Sequence, residues 1–269
     1  MAILAVMGMT CQRAGNRGLG IEMVDTMLDP ELRRKLSKLN IERKSDEPSL
    51  LPPPSSLLTL EEVLPGRVQV HERGELYVCE RRVDISPEVS PLRCEPSEAV
   101  FLDIETCGLA NCPLFLIGIM SMRGNHSMVE QFFARDYSEE AALLAHLGDV
   151  LSAYRMLITF NGKTFDVPYM RDRMVLHQIE HEFDQEHFDL LPPARRLWRG
   201  KLPDCRLQTL EEHICGRRRF GDTPGHLIPQ LYHDFVRTGN AAPLEGVFHH
   251  NALDLVTMAE LLPHVMSDE

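Results

Sequence analysis

The chain has 269 residues, of which 43% are hydrophobic and 25% charged, as is typical of a globular protein of one or two domains. Its longest apolar runs fall well short of the roughly 18 residues that a membrane-spanning helix needs. The net charge of −12 argues against binding nucleic acid by bulk electrostatics, and seven cysteines, an odd number, suit reduced thiols better than a disulfide framework. We therefore expect a cytoplasmic protein without a membrane segment.

The first third of the chain is predicted to stand apart from a main domain at residues 96–269. Residues 1–57 are expected to be poorly organised, with a short helix at 29–40 and then a Pro/Ser-rich linker. Residues 58–95 contain a short helical stretch and two alternating stretches, RVQVHE and ELYVCERRV, which are joined at a glycine. This pattern predicts a small N-terminal β-hairpin appendage.

From residue 99 onward the pattern predicts an α/β fold. Three stretches typical of strands, AVFLDIE, PLFLIGIMSMR and HSMVEQFFA, are close enough together to pair as an antiparallel meander. A helix, the strand MLITFNG, a second helix and the short strand HFDLL follow, and several helices complete the chain. We expect a mixed five-stranded sheet that is flanked by helices.

The first of these strands carries two carboxylates in an otherwise apolar stretch, VFLDIETCGL. Asp103 and Glu105 are two residues apart, so their side chains lie on the same face of the strand. Two such carboxylates repel each other unless a cation lies between them, and Mg²⁺ and Mn²⁺ prefer oxygen ligands of this kind. The alternative is an edge-strand pair that faces water.

Two later acidic residues are candidates for the same site. Asp166 follows a strand and an Asn-Gly turn in LITFNGKTFDVPYM, where it could also be an ordinary helix-start residue. Asp254 lies in the late helix HHNALDLVTMAELL, and His250 precedes it by four residues on the same helix face. A His–Asp pair at this spacing is more often a surface or capping pair than a catalytic one.

The order of these motifs resembles the DEDD family of 3′-5′ exonucleases on the ribonuclease H-like fold, and within it the YprB-like branch. The resemblance covers about residues 60–262, including FLDIETCGL, LITFNGKTFDVPYM, HFDLLPPARRLW, PGHLIPQLYHDFVRTG and HHNALDLVTMAEL. It implies a ribonuclease H-like fold and two Mg²⁺ or Mn²⁺ ions, which would activate water and stabilise the leaving 3′ oxygen. The implied metal ligands are Asp103, Glu105, Asp166 and Asp254.

The resemblance also implies a residue that orients or deprotonates the attacking water. The family's tyrosine-type spacing falls on His250 and its histidine-type spacing on His249. We favour His250, because a continuous helix would place His249 roughly 140° away from Asp254. The implied substrate-binding residues are Thr106, Leu109, Asn161 and Lys163. Leu109 could instead be a core residue, and Asn161 could serve only to make the turn.

Residues 190–221 carry a local positive charge on an otherwise acidic chain. Eight arginines and lysines stand against three acidic residues in this segment, which therefore has a net charge of +5. The segment is either a solvated helix face or a basic patch that follows a phosphate backbone.

Together these features predict a metal-dependent nuclease, most simply a 3′-5′ exonuclease acting on single-stranded ends of DNA or RNA. Two alternatives stay open. One is a structure-specific endonuclease, since the same scaffold serves both activities. The other is a nucleic-acid-binding protein that no longer cleaves, although the presence of all four carboxylates argues against it.

Overall fold

The computed structural model of the chain describes residues 57–108 and 111–266. The predicted helix at 29–40, the Pro/Ser-rich linker and Leu109 lie outside the described residues. None of the helices within the described ranges is long and apolar enough to cross a membrane. The cytoplasmic location stays a prediction.

The described residues form a seven-stranded sheet. Its strands are β1 (Arg67–His71), β2 (Gly74–Val83), β3 (Ala99–Thr106), β4 (Leu114–Arg123), β5 (His126–Phe133), β6 (Met156–Thr159) and β7 (Glu186–Asp189). Their spatial order is β1-β2-β5-β4-β3-β6-β7. Neighbours pair antiparallel from β1 through to β3, and β6 and β7 extend the sheet as parallel strands.

The predicted fold class, a mixed sheet flanked by helices, is confirmed, but the hairpin is part of the sheet and not an appendage to it. Strand β2 pairs with β5 in a continuous register from Tyr77–Phe133 to Val83–Ser127. The predicted five strands, β3 to β7, are therefore extended to seven at the β5 edge. The predicted domain boundaries at residues 57 and 95 stay predictions.

Helices cover the sheet, and the hydrophobic core lies between the helices and the strands. They are α1 (Leu60–Val63), α2 (Glu140–Leu151), α3 (Asp166–Leu176), α4 (Leu191–Trp198), α5 (Leu207–His213), α6 (Ile228–Thr238) and α7 (Leu244–Met266). Alternate residues of β3 belong to two different core clusters: Leu102 and Ile104 pack with residues of α2, α3 and α6, whereas Phe101 packs with residues of α4, α5 and α7. Both faces of this central strand are thus buried.

The long helix α7 packs across β3, β4 and β5. Because side chains alternate along a strand, Asp103 and Glu105 point to the same face of the sheet as Phe101. This is the face on which α7 contacts Asp103, through Asn251. The fold therefore brings the late helix directly over the two carboxylates of the central strand.

Candidate active site

The structure brings together the four carboxylates that the sequence singled out. Asp103 and Glu105 lie at the end of β3, Asp166 is the first residue of α3, and Asp254 lies within α7. Burial raises the pKa of Asp103 well above its usual value, and the negative charges of Asp254, Glu105 and Asp166 raise it further. The four side chains from three separate elements therefore form one electrostatically coupled cluster.

The same causes act on the other members of the cluster. Burial, followed by the charges of Asp254 and Asp166, raises the pKa of Glu105 well above its usual value. Burial is also the largest cause for Asp166, whose pKa rises to about 7. The pKa of Asp254 is raised by burial but held down by the charges of Arg219 and His250. The cluster as a whole is short of positive charge.

Asn251 fixes the orientation of Asp103. Its side-chain amide nitrogen donates to Asp103 Oδ2 at 2.9 Å, and its oxygen accepts a hydrogen bond from Gln131 Nε2 at 2.8 Å. Asp103, Gly118 and Gln131 are register neighbours on β3, β4 and β5. A Cβ atom at Gly118 would lie 2.1 Å from Asn251 Oδ1, so a glycine is needed for α7 to pack this closely.

Arg219 supplies a buried positive charge that sequence reasoning missed. Its guanidinium donates to Asp254 and Glu211, and to Asp222 Oδ2 at 3.1 Å. The Arg219 side chain is 7% exposed and that of Glu211 is fully buried. In the sequence Arg219 is the last of three consecutive arginines, which gave no sign that it turns inward.

The basic segment therefore has two parts with different partners. Arg217 also turns inward, where it bonds to Glu211 at 2.6 Å, Thr257 at 2.7 Å and Glu260 at 2.9 Å. Its charge is matched by carboxylates within the protein. This part of the segment is neither a solvated helix face nor an open patch for phosphates.

Arg195 and Arg206 belong to the other part. Both are exposed, and both line a cavity of about 520 Å³ whose wall includes Asp103 and Asp254. The partner of Arg206 is Asp204, with 3.6 Å between Arg206 Nε and Asp204 Oδ2. The wall of this one cavity thus contains two candidate metal ligands and two exposed arginines.

His250 faces the carboxylate cluster and His249 does not. Helix α7 is continuous through both residues, as the choice of His250 required. The His250 side chain is 10% exposed, with Nε2 lying 3.7 Å from Asp254 Oδ2 and Nδ1 hydrogen-bonded to Asp222 at 3.0 Å. His249 is exposed and lines a different cavity.

The remaining candidates lie around the turn after β6 and at the end of β3. Asp189 accepts hydrogen bonds from the backbone N–H groups of Asn161, at 2.7 Å, and Lys163, at 3.0 Å, and so fixes that turn. Asn161 has a φ of 68° and lines the 520 Å³ cavity, while the Lys163 side chain is exposed. The Thr106 hydroxyl donates to the Gly108 carbonyl at 2.8 Å.

The donor set suits a divalent metal ion. Across residues 57–108 and 111–266, no three His, Cys, Asp or Glu side chains are arranged as the ligands of one ion, and Arg219 instead neutralises Asp254. Asp103, Glu105 and Asp166 nevertheless present hard oxygen donors in one cluster, where burial first and repulsion between carboxylates second raise their pKa values. Mg²⁺ or Mn²⁺ would compensate the charge of these carboxylates.

The chain is similar to known proteins over most of its described residues. A family model described as RNase_H superfamily matches residues 100–266. An uncharacterized protein YprB of Bacillus subtilis (strain 168) is 36% identical over 206 residues, which are 74% of this chain and 49% of the relative. The chain thus spans about half the length of that curated relative.

Two solved structures show more distant likenesses. A family B DNA polymerase from the hyperthermophilic archaeon Pyrobaculum calidifontis has a TM-score of 0.49 at 15% identity, over 64% of this chain and 25% of the polymerase. Exonuclease I without ligand has a TM-score of 0.36 at 19% identity, over 44% of this chain and 37% of the exonuclease. Both TM-scores are below 0.5, so neither likeness shows the fold or the function of this chain.

Proposed function

The chain belongs to the RNase_H superfamily, whose nucleases generally use divalent metal ions, and from this we propose that it is a metal-dependent phosphodiesterase that acts on nucleic acid. The proposed reaction is 3′-5′ exonucleolytic hydrolysis at single-stranded ends of DNA or RNA. The ions are Mg²⁺ or Mn²⁺.

The main support for this proposal is one structural observation. Asp103, Glu105, Asp166 and Asp254 form a single cluster in which Asp166 is buried and the other three are half-buried, and Asp103 and Asp254 line the 520 Å³ cavity. Burial raises the pKa of all four, and neighbouring carboxylates raise the pKa values of Asp103, Glu105 and Asp166 further. A structural role would favour pairing each carboxylate with a cation or replacing it by an apolar residue. Asp254 does have a cationic partner, Arg219, but the grouping of Asp103, Glu105 and Asp166 beside it is expected if the cluster binds cations during its function.

Each group then has a defined task. The four carboxylates hold the metal ions, which when bound supply the positive charge that activates water and stabilises the leaving 3′ oxygen. His250 Nε2 accepts a proton from the attacking water, because this nitrogen faces Asp254 while Nδ1 is engaged by Asp222. Arg195 and Arg206 contact phosphates of the strand that enters the cavity.

The exposed aromatic side chain of Phe220 is an argument for a single-stranded substrate. Phe220 is 84% exposed, although the neighbouring Arg219 is bonded to Asp254 and Asp222 is bonded to His250. An exposed ring that is anchored on both sides at a cluster of this kind is suited to stacking on an unpaired base. Bases within a duplex would not present a free face to it.

The decisive experiment uses DNA and RNA oligonucleotides labelled at either end, with Mn²⁺, Mg²⁺ or EDTA. We expect shortening from the 3′ end with either metal and no cleavage in EDTA. The variant Asp103→Asn is the matched control, since it removes one ligand charge with little change of shape. Undiminished cleavage in EDTA would reject the metal-dependent proposal.

A circular single-stranded DNA separates the two modes of cleavage. An exonuclease leaves the circle intact, whereas an endonuclease linearises it. Binding of linear oligonucleotides with no cleavage under any metal condition would instead favour a protein that binds nucleic acid without hydrolysing it.

A further inference from the structure

Asp222 is hydrogen-bonded to His250, although the proposed reaction assigns no task to Asp222. Both carboxylate oxygens of Asp222 lie at hydrogen-bond distance from His250 Nδ1, at 3.1 and 3.0 Å. The two side chains are 9% and 10% exposed, and the residues are 28 positions apart in the chain. The contact is therefore a buried tertiary interaction.

The contact determines which ring nitrogen faces the carboxylate cluster. A carboxylate accepts a hydrogen bond, so His250 must carry a proton on Nδ1 to donate one. In a neutral imidazole the lone pair then lies on Nε2, the atom that is 3.7 Å from Asp254 Oδ2. The ring is thus held with its proton-accepting nitrogen toward the site.

Asp222 is itself held in place. Arg219 Nη1 donates to Asp222 Oδ2 at 3.1 Å, and Arg219 is anchored by the fully buried Glu211. Gln208 Nε2 on α5 lies 3.4 Å from the same oxygen, which is too long for a strong hydrogen bond, so Arg219 is the main anchor of Asp222. The carboxylate therefore cannot follow the imidazole if the ring rotates.

The backbone of α7 is shaped to receive this loop. Gly246 lies one helical turn before His250, and a Cβ atom there would be only 2.2 Å from Thr223 Oγ1. A Cβ atom at Gly225 would lie 3.9 Å from His250 Nε2. The residues after Asp222 thus pack directly against the turn of α7 that bears the histidine.

Resting on the proposed nuclease function, we propose that Asp222 is a positioning residue that holds His250 with Nδ1 protonated and Nε2 directed at the attacking water. A purely structural role, in which Asp222 only neutralises Arg219, would give the same contacts but different kinetics. The two roles separate when the effects of Asp222 and His250 are measured together.

The test is a double-mutant cycle on one single-stranded oligonucleotide at saturating Mn²⁺. We expect Asp222→Asn to lower kcat about 10- to 100-fold with KM changed less than about threefold, because only part of the effect of a general base is lost. In a His250→Ala background, Asp222→Asn should have no further effect on kcat. Mn²⁺ affinity measured by calorimetry should stay within about threefold of wild type.

The control is Gln208→Ala. This variant removes the long contact between Gln208 and Asp222 and leaves the contact between Asp222 and His250 in place. It should keep kcat within about twofold of wild type. Multiplicative losses in the cycle, or an Asp222→Asn variant as active as wild type, would overturn the positioning role.

A spectroscopic measurement keeps this inference separate from the proposed function. ¹⁵N resonances of the His250 ring, assigned by their loss in His250→Ala, report which nitrogen is protonated in the neutral ring. We expect the Nδ1-protonated tautomer in wild type and its loss in Asp222→Asn. An Nε2-protonated ring in wild type would reject the inference even if the enzyme is active. A protein inactive on every oligonucleotide would reject the proposed function, and the tautomer would still decide the role of Asp222.

Discussion

At the scale of single residues, the carboxylate cluster makes stability depend on pH. Folding raises the pKa of Asp103, Glu105 and Asp166, the last to about 7. The folded protein therefore binds protons more tightly than the unfolded chain, whose carboxyl pKa values are about 4. The resulting stabilisation is complete below about pH 4 and is lost as pH rises through the raised values.

We accordingly expect the Tm of metal-free protein to decrease as pH is raised from about 5 to about 8. The variant Asp103→Asn is the reference for the titration of all other groups, and its Tm should decrease less steeply. Added Mn²⁺ should raise Tm, and more at pH 8 than at pH 5, because ligands must be deprotonated to bind it. Calorimetry in EDTA and in Mn²⁺ measures both. Equal pH slopes for wild type and variant would contradict this prediction.

The two adjacent histidines give a second prediction at this scale. Because His250 faces Asp254 and His249 is exposed, His250→Ala should lower kcat by roughly 10²- to 10⁴-fold, whereas His249→Ala should change it little. Both variants are assayed at saturating metal on one oligonucleotide. If His249→Ala were the inactive one, the histidine-type spacing would apply and the assignment of His250 would be wrong.

The residues around these groups could not have been predicted from the sequence. Asn251 contacts Asp103 across 148 positions, and Arg219 contacts Asp254 across 35. Nothing in HHNALD or RRRFGD distinguishes these residues from a helix-surface amide and a solvated arginine. The carboxylates were predictable because their order along the chain resembles a known family, and their partners were not because packing alone selects them.

At the scale of elements, the basic segment gives a prediction that separates its two parts. Arg195→Ala combined with Arg206→Ala should raise KM and reduce the salt slope of binding by about 1.4, the value for two phosphate contacts on a single strand. Folding stability should be unchanged, since both side chains are exposed. Binding is measured by fluorescence anisotropy between about 50 and 200 mM salt.

The matched control is Arg217→Ala. This change removes one of two cationic partners of the fully buried Glu211, which keeps Arg219, and should cost about 1.5–3 kcal/mol of stability. It should not reduce the salt slope in whatever fraction stays folded. An unchanged salt slope in the Arg195→Ala, Arg206→Ala double variant would show that these two arginines do not contact phosphates and are ordinary solvated surface residues.

The loop that carries Phe220 gives a third kind of evidence. Since stacking on a base is worth about 1–3 kcal/mol, Phe220→Ala should weaken single-strand binding by roughly 5- to 150-fold, while Phe220→Trp should retain it. Val175→Ala is the control, because Val175 is also an exposed apolar residue, at 76%, but lies on a different element, α3. Duplex binding should change little in any of the three variants. Equal effects on both substrates would refute the stacking role.

The hairpin shows what the pattern of an element does and does not reveal. Leu76, Tyr77, Val78 and Cys79 are four consecutive buried residues of β2. An apolar run of this kind indicates a strand covered on both faces, so the stretch LYVC did carry a sign that β2 is an interior strand. It could not name β5 as the partner, because sheet partners are chosen across long sequence separations.

At the scale of the whole molecule, an acidic chain can serve a nucleic-acid substrate if its positive charge is local. The net charge is −12, yet Arg195 and Arg206 flank the cavity beside Asp103 and Asp254. Because the net charge is negative, long-range attraction between the protein and a nucleic acid is weak. Binding then depends on the arginines at the cavity and on bound metal ions. The fold class and the main elements followed from hydrophobic periodicity, whereas this distribution of charge required the tertiary structure.

We propose that Asp103, Glu105, Asp166 and Asp254 hold the divalent ions with which the chain hydrolyses nucleic acid. The most direct test of this proposal is Mn²⁺ binding by electron paramagnetic resonance, with cleavage of a labelled oligonucleotide scored in the same samples. We expect wild type to bind two Mn²⁺ ions that are coupled at short distance and to cleave as they bind. Asp103→Asn should lose both the coupled signal and the cleavage. Cleavage by wild type with no Mn²⁺ bound, or a coupled pair that persists in Asp103→Asn, would contradict the claim.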